Sequence, residues 1–282
     1  SRRSFLTGTA AMGALATAGV LAGCAPHAKG EVAGADAATG ATSDGALQTV
    51  DWLGEAPEIS DDDCIETLEC EVLVIGAGTS GYFAAASAAE SGAKTLLIEK
   101  SSVGSSVRSS ALGAVNSRLQ REQGAKAAIV PMEIANDMDR YAIGQINASL
   151  VRAWALNSGE TLDWYTDLMA RNGIEVQLEW NMPDGTFYKD WPTGHGTNGE
   201  YPSREQDVAK VIDAYISSFD GCEVRFNCAM KRLIEEDGRV LGAYAEVEEG
   251  MVRINASKGV VVATGGYAYN QDMYLALQPV RY

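Results

Sequence analysis

The sequence predicts an α/β fold: a parallel sheet with an antiparallel β-meander set into it. Three observations predict it. Residues 71–100 read as strand, glycine turn, helix and strand; residues 230–255 read as three short strands joined by tight-turn pairs; and residues 259–266 read as another apolar strand running into glycines.

The first of these segments is EVLVIGAGTSGYFAAASAAESGAKTLLIEK. Val72, Leu73, Val74 and Ile75 form the continuous apolar run of a strand buried on both faces of a parallel sheet. In the GxGxxG turn that follows, Gly76 permits the sharp reversal, Gly78 removes a side chain where backbone must approach a pyrophosphate, and Gly81 lets the helix pack closely on the strand. Phosphates would sit on the free N–H groups and the positive dipole end of a helix starting near Thr79, with Ala77 and Ser80 completing the turn. The helix carries Ala84, Ala85, Ala86, Ala88 and Ala89 and stops at Gly92. Leu96, Leu97 and Ile98 make the second strand, with Glu99 and Lys100 at its end. Glu99 stands close to the spacing of about 20 residues expected of the acid that accepts a hydrogen bond from a ribose hydroxyl. A carboxylate there repels a 2′-phosphate, so adenosine without that phosphate is favoured. A GxGxxG alone carries little weight; with both strands, the helix and the acid in agreement, the segment holds a dinucleotide.

Length and composition frame this motif. The 282 residues are 46% hydrophobic and 21% charged, which suits one or two globular domains with a large core. The net charge of −16 argues against nucleic acid and against a basic patch on an anionic membrane. Five cysteines form no CxxC and no haem-attachment pattern, and His27 and His195 are the only imidazoles. Cys70 and Cys222 begin apolar strands, so buried free thiols are expected. Asp61, Asp62 and Asp63 read as a solvated charge run rather than a metal site.

At the N-terminus, Ser1, Arg2, Arg3, Ser4, Phe5 and Leu6 form a twin-arginine pattern, followed by a weakly apolar stretch and then Leu21, Ala22, Gly23 and Cys24. This resembles a bacterial twin-arginine export signal ending in a lipobox, with lipidation at Cys24. It implies export in the folded state, an extracytoplasmic location and membrane attachment through a lipid anchor alone. Residues 25–65, rich in Ala, Gly, Thr and Asp, read as a flexible linker. The folded domain is expected over 66–270, with a further domain beginning at 271–282.

Between the second strand and the meander the pattern is less regular. SSVGSSVRSSALGAVNSRLQ after Lys100 is a small-residue loop whose Ser105, Ser106, Ser109 and Ser110 could donate hydrogen bonds. Residues 131–172 read as helical, with Leu150, Trp154, Leu162, Tyr165, Leu168 and Met169 on one apolar face. A short strand is expected over 174–178, and an irregular loop over 180–203 in which His195 reads as a surface histidine. A helix near 204–219 leads to a strand over 222–226. The meander strands are expected at 230–235, 240–247 and 251–255, turned at Asp237 with Gly238 and at Glu249 with Gly250.

These residues resemble the flavoprotein family of fumarate reductase, succinate dehydrogenase and 3-ketosteroid dehydrogenase, in its exported bacterial branch, over residues 70–273. The resemblance rests on VIGAGTSG with Glu99 and Lys100, the small-residue loop through Gly113, SGETLDWYTDLMARNGI and VVATGGYAYNQDM. It implies a two-dinucleotide, Rossmann-like FAD-binding domain. By that resemblance Gly76, Ala77, Gly78, Thr79, Ser80 and Gly81 lie at the pyrophosphate, Glu99 with Lys100 at the adenosine ribose, Ser106 and Gly113 on the flavin side, Met230 at the adenine through its backbone, and Ala263, Thr264 and Gly265 again at the cofactor. Val103 and Gly104 stand where the family carries a glycine pair. Membrane-bound relatives attach flavin through a histidine in this loop; none occurs here between His27 and His195, so FAD is expected to be non-covalent.

In the family, the chain after ATGG enters a capping domain that carries the catalytic groups. Here that domain is expected to be largely absent, with the catalytic residues beyond Tyr282. For the complete protein the resemblance implies reduction of an activated C=C bond, in fumarate or another enoate, by hydride transfer from flavin N5, with electrons from an exported cytochrome or FMN protein. Two alternatives stand beside it: dehydrogenation of a 3-ketosteroid-like substrate, and a fragment that binds FAD without catalysis.

Overall fold

The structure, a computed structural model, describes residues 39–41, 47–49, 54–105, 111–124, 127–179, 190–200 and 203–277. Cys24 and Ser106 lie outside the described residues. In chain order the elements are β1 (Thr39–Ala41), β2 (Leu47–Thr49), a 3-10 turn (Asp61–Asp63), β3 (Cys64–Ile75), α1 (Thr79–Glu90), β4 (Thr95–Ile98), β5 (Ala111–Gly113), α2 (Arg118–Glu122), α3 (Pro131–Tyr141) and α4 (Ala148–Arg171). They continue as β6 (Val176–Leu178), β7 (Gly194–Thr197), α5 (Ser203–Ser217), β8 (Glu223–Arg225), β9 (Ala229–Glu236), β10 (Arg239–Val247), β11 (Gly250–Val262) and α6 (Gln271–Leu277). Two compact units result. One comprises Ser1–Gly54 with Tyr267–Tyr282, where β1 and β2 pair as an antiparallel ribbon; the other is Glu55–Gly266.

The larger unit is built on a six-stranded sheet of order β8-β4-β3-β11-β10-β9. Its first four strands are parallel and its last three antiparallel, so the meander continues the parallel sheet. β11 corrects the expectation of two separate strands. It runs unbroken beside β3: residues 251–256 pair with the first half of β3 and 259–262 with the second, across a register irregularity between Ala256 and Gly259. A bulge bends a strand without ending it, so a break in the apolar pattern at Ser257 and Lys258 is not a break in the sheet. At the end of β11 the apolar run is not fully covered, since Val261 and Val262 remain 39% and 53% exposed.

Alternation along β3 and β4 divides the core. Val74 and Leu97 point to the face covered by α1, α4 and α5, where they meet Ala85, Tyr165, Met169 and Ile212. Leu73, Ile75, Leu96 and Ile98 point to the other face, completed by Ala243, Ala245, Val252 and Ile254 from β10 and β11. Each fully buried Leu or Ile contributes about 1.5–3 kcal/mol. In α1 the small Ala85, Ala86 and Ala89 are buried and bring the helix close to the sheet.

Residues 131–172 form two helices. The chain breaks where Ile143 and Gly144 take positive φ, and Asn147 caps α4 by accepting from Ser149 N and Leu150 N. Leu150, expected on the buried face, is 67% exposed, because α4 buries residues only from Ala155 onward. A second, antiparallel sheet of order β5-β7-β6 includes a strand inside the expected irregular loop. His195, read as a surface residue, is 1% exposed on that strand.

The cysteines Cys64, Cys70, Cys222 and Cys228 are free. Cys70 lies inside β3 rather than at its start, and Cys222 is only half-buried just before β8. Burial pushes the Cys70 and Cys228 thiols up to about 11.

Candidate dinucleotide site

Three strand ends converge on the glycine turn. Gly76 N donates to Ile98 O at 2.8 Å, and Ala263 N donates to Ile75 O at 2.8 Å. Gly76 has φ +104, and a Cβ on it would lie 2.6 Å from Ala263 O. The two glycine-rich strand ends therefore touch through backbone. Gly81 seats α1 on the turn, since a Cβ there would lie 1.7 Å from Gly76 O.

Gly78 is different. It is the N-cap of α1 and makes no side-chain cap, and a Cβ on it would meet only Ser105 Oγ, at 3.6 Å. This is a cradle that a methyl group would enter, in front of a helix N-terminus whose dipole favours an anion.

Glu99, 9% exposed, ties the turn to β4: Oε2 accepts from Ala77 N at 2.8 Å and Oε1 from Ser101 N at 2.9 Å. Each carboxylate oxygen keeps a further lone pair for a hydroxyl donor. Beside it runs the segment entering β9. Glu99 N donates to Arg225 O, Cys228 N to Glu99 O, and Asn227 N to Ser101 O, at 2.9, 2.9 and 3.0 Å. Half-buried Met230 follows on β9, while Lys100, Thr264 and Gly265 are exposed.

On the other side, Gly113 and Thr79 line one cavity of about 260 Å³ with Phe83, Leu112, Trp154 and Leu162. Trp154 Nε1 donates to Gly113 O at 2.9 Å. The end of the small-residue loop at Gly113 and the N-terminus of α1 at Thr79 thus line the same cavity.

Several polar groups near the site escaped the sequence reading. The fully buried Tyr82 donates its hydroxyl to Asp213 Oδ1 at 2.7 Å. Burial, with Asp213 alongside, holds the phenol well above its usual range, and burial also raises the Asp213 carboxyl. The missed signal was the position of Tyr82, one residue after Gly81 on the helix face that packs inward. His195 Nδ1 lies 2.8 Å from Thr193 O, and its Nε2 lies 2.7 Å from Ser117 Oγ. Burial lowers the His195 pKa, against the opposing pull of the Thr193 and Leu112 backbone. The flanking Gly194 and Gly196 are depleted in strands and read as a turn, so the local pattern carried no signal for this one.

An open cradle at a helix N-terminus, a buried acid at the end of the second strand and a neighbouring glycine-rich strand end define a nucleotide-binding flavoprotein domain, and the residues present fit FAD. Residues 71–279 match the FAD binding domain family; the chain belongs to it, and FAD is its cofactor. The digoxin reductase of Eggerthella lenta is 29% identical over 96% of this chain and 46% of that protein. The fumarate reductase (cytochrome) of Shewanella frigidimarina is 28% identical over 74% of this chain and 35% of that protein. The fold is shared with a 3-ketosteroid-Δ4-(5α)-dehydrogenase from Rhodococcus jostii RHA1, at TM-score 0.65 and 21% identity over 78% of this chain and 51% of the other. It is shared also with the open conformation of a flavocytochrome c3 fumarate reductase, at TM-score 0.57 and 24% identity over 77% and 37%. The chain spans less than half the length of these two curated relatives.

Proposed function

We propose that the whole protein is an exported, FAD-dependent oxidoreductase that reduces an activated C=C bond in an enoate. The observation that carries this reading is the seat itself, an open glycine cradle closed behind by Glu99 and Ala263, in a chain related to digoxin and fumarate reductases. Bound there, the flavin supplies hydride-transfer chemistry to the alkene. The chain's own residues bind and orient. The N–H groups at Gly78 to Gly81 hold the pyrophosphate, Glu99 accepts from the adenosine ribose, Met230 meets the adenine through its backbone, and Thr264 with Gly265 closes the other side. Gly113 and the 260 Å³ cavity beside it lie on the flavin side.

FAD is held non-covalently in this reading, and electrons arrive from an exported cytochrome or FMN protein. The twin-arginine pattern and Cys24 support export and a lipid anchor. The mostly apolar residues around that cavity favour, as a second reading, dehydrogenation of a ketosteroid-like substrate. A flavin-loaded preparation of the protein should oxidise reduced viologen with fumarate or another enoate. Turnover only with ketosteroids would select the second reading. Flavin-loaded protein inert toward both would leave a cofactor-binding protein without catalysis.

A further inference from the structure

Six polar side chains are buried among the described residues, and four of them, Ser117, Gln120, His195 and Thr197, gather in and around the β5–β7 sheet. Leu112 and Gly113 on β5 pair with His195 and Gly194 on β7. Thr193 O can only accept, so His195 Nδ1 carries the ring proton at 2.8 Å from it. Nε2 is then the acceptor for the Ser117 hydroxyl at 2.7 Å. Ser117 Oγ in turn accepts from Gln120 N, and Ser117 N donates to Gln120 Oε1, at 3.2 and 2.7 Å. Gln120 Nε2 donates to Ala114 O at 3.0 Å and Pro192 O at 2.6 Å. The N–H of Ala114 donates to Thr193 O at 2.9 Å, so both polar groups of that residue are gripped by the network.

Packing alone does not call for this arrangement, because apolar side chains of the same shape would fill the space at similar stability. A fully satisfied buried polar network instead specifies one geometry. What it holds is the backbone on whose other side Gly113 and Ala114 line the cavity shared with Thr79. We infer that His195, acting through Ser117 and Gln120, is a positioning residue that fixes the Gly113–Ala114 backbone against the flavin. The inference rests on the proposed placement of Gly113 on the flavin side.

The test uses the full chain loaded with FAD, and reads the FAD dissociation constant, the visible flavin spectrum and the flavin midpoint potential beside thermal stability. H195L should weaken FAD binding about tenfold, as expected when one buried hydrogen-bonded link is lost, and displace the spectrum and potential. H195Q, whose amide oxygen accepts from Ser117, should recover part of each. S117A removes both the hydroxyl donated to His195 and the oxygen that accepts from Gln120 N, and should move the same readouts, so it carries the test where H195L does not fold. Variants that lose thermal stability while keeping wild-type affinity, spectrum and potential would overturn the inference. G113A separates the two levels, since its Cβ would lie 3.8 Å from the nearest atom, on Trp154, and the fold accommodates it. If G113A changes the flavin readouts and the His195 and Ser117 variants do not, positioning fails alone. Should G113A also leave them unchanged, the flavin-side placement fails and takes the inference with it.

Discussion

Alanine at Gly78 and alanine at Gly81 should damage different properties, although the two sites stand three residues apart in one turn. At Gly81 alanine gains about 1 kcal/mol of helix propensity. Its Cβ, however, would lie 1.7 Å from Gly76 O, a backbone atom that cannot rotate away. Overpacking typically costs about 1–3 kcal/mol and sometimes more. So severe a contact belongs at the upper end, which leaves a net loss of about 2 kcal/mol. In a domain of this size that lowers the thermal midpoint by about 4–8 °C. At Gly78 the φ of −90 suits alanine, and the nearest atom is Ser105 Oγ at 3.6 Å. The only stability cost is that of a poorer N-cap, about 0.5–1 kcal/mol. In the proposed seat the methyl group instead occupies the cradle and blocks a charge-assisted backbone hydrogen bond to pyrophosphate worth about 1.5–3 kcal/mol, or about 10- to 100-fold in affinity. Thermal unfolding of the flavin-free protein, with flavin fluorescence titration, measures both. G78A binding FAD as tightly as wild type, or G81A leaving the midpoint unchanged, would refute the reasoning.

Other predictions concern the acid, the histidine and the flavin linkage. E99Q places an amide NH₂ against one of the two backbone N–H groups that Glu99 now accepts, and should cost about 1–3 kcal/mol in urea unfolding as well as weakening FAD binding. Burial lowers the His195 pKa below its ordinary 6.5, so the unfolded chain binds the extra proton first on acidification. Stability from this group is present above pH 6.5 and lost as pH falls through the folded pKa, with a slope of at most about 1.4 kcal/mol per pH unit. H195Q should flatten that part of the stability profile; equal slopes in variant and wild type would count against a buried neutral imidazole. Acid precipitation of the loaded protein should leave all flavin in the supernatant, whereas yellow colour retained in the pellet would show covalent attachment.

What could be read in the sequence was local. The GAGTSG turn, the alanine helix and Glu99 sit within thirty consecutive residues whose parts constrain one another; the structure adds a bond from Ala77 N to Glu99 that the spacing alone did not give. The Asp237–Gly238 turn was equally legible, since both residues take positive φ there. The second hairpin shifted by one residue, with Gly250 already in β11 opposite Val247. Features held by distant partners were not legible. β3 begins at Cys64, well before the apolar run, because residues such as Glu66, Thr67 and Glu69 find a pairing strand in β11. His195 is buried for a similar reason: β5 and β6 flank its strand, and β5 comes from well before it in sequence, with α2, α3 and α4 between. Local hydropathy records the side chain, whereas strand pairing across such separations is decided by the assembled sheet.

The shared length of β3 and β11 makes the nucleotide turn and the meander mechanically one object. The same two backbones that end at Gly76 and Ala263 begin in the half of the sheet that carries the meander, with only a bulge between. Local opening of the meander would loosen the glycine cradle with it, and a ligand clamped at the turn would slow amide exchange as far away as Val252 and Ile254. No clean cut lies between the two parts, so neither can be exchanged with a relative without carrying the other.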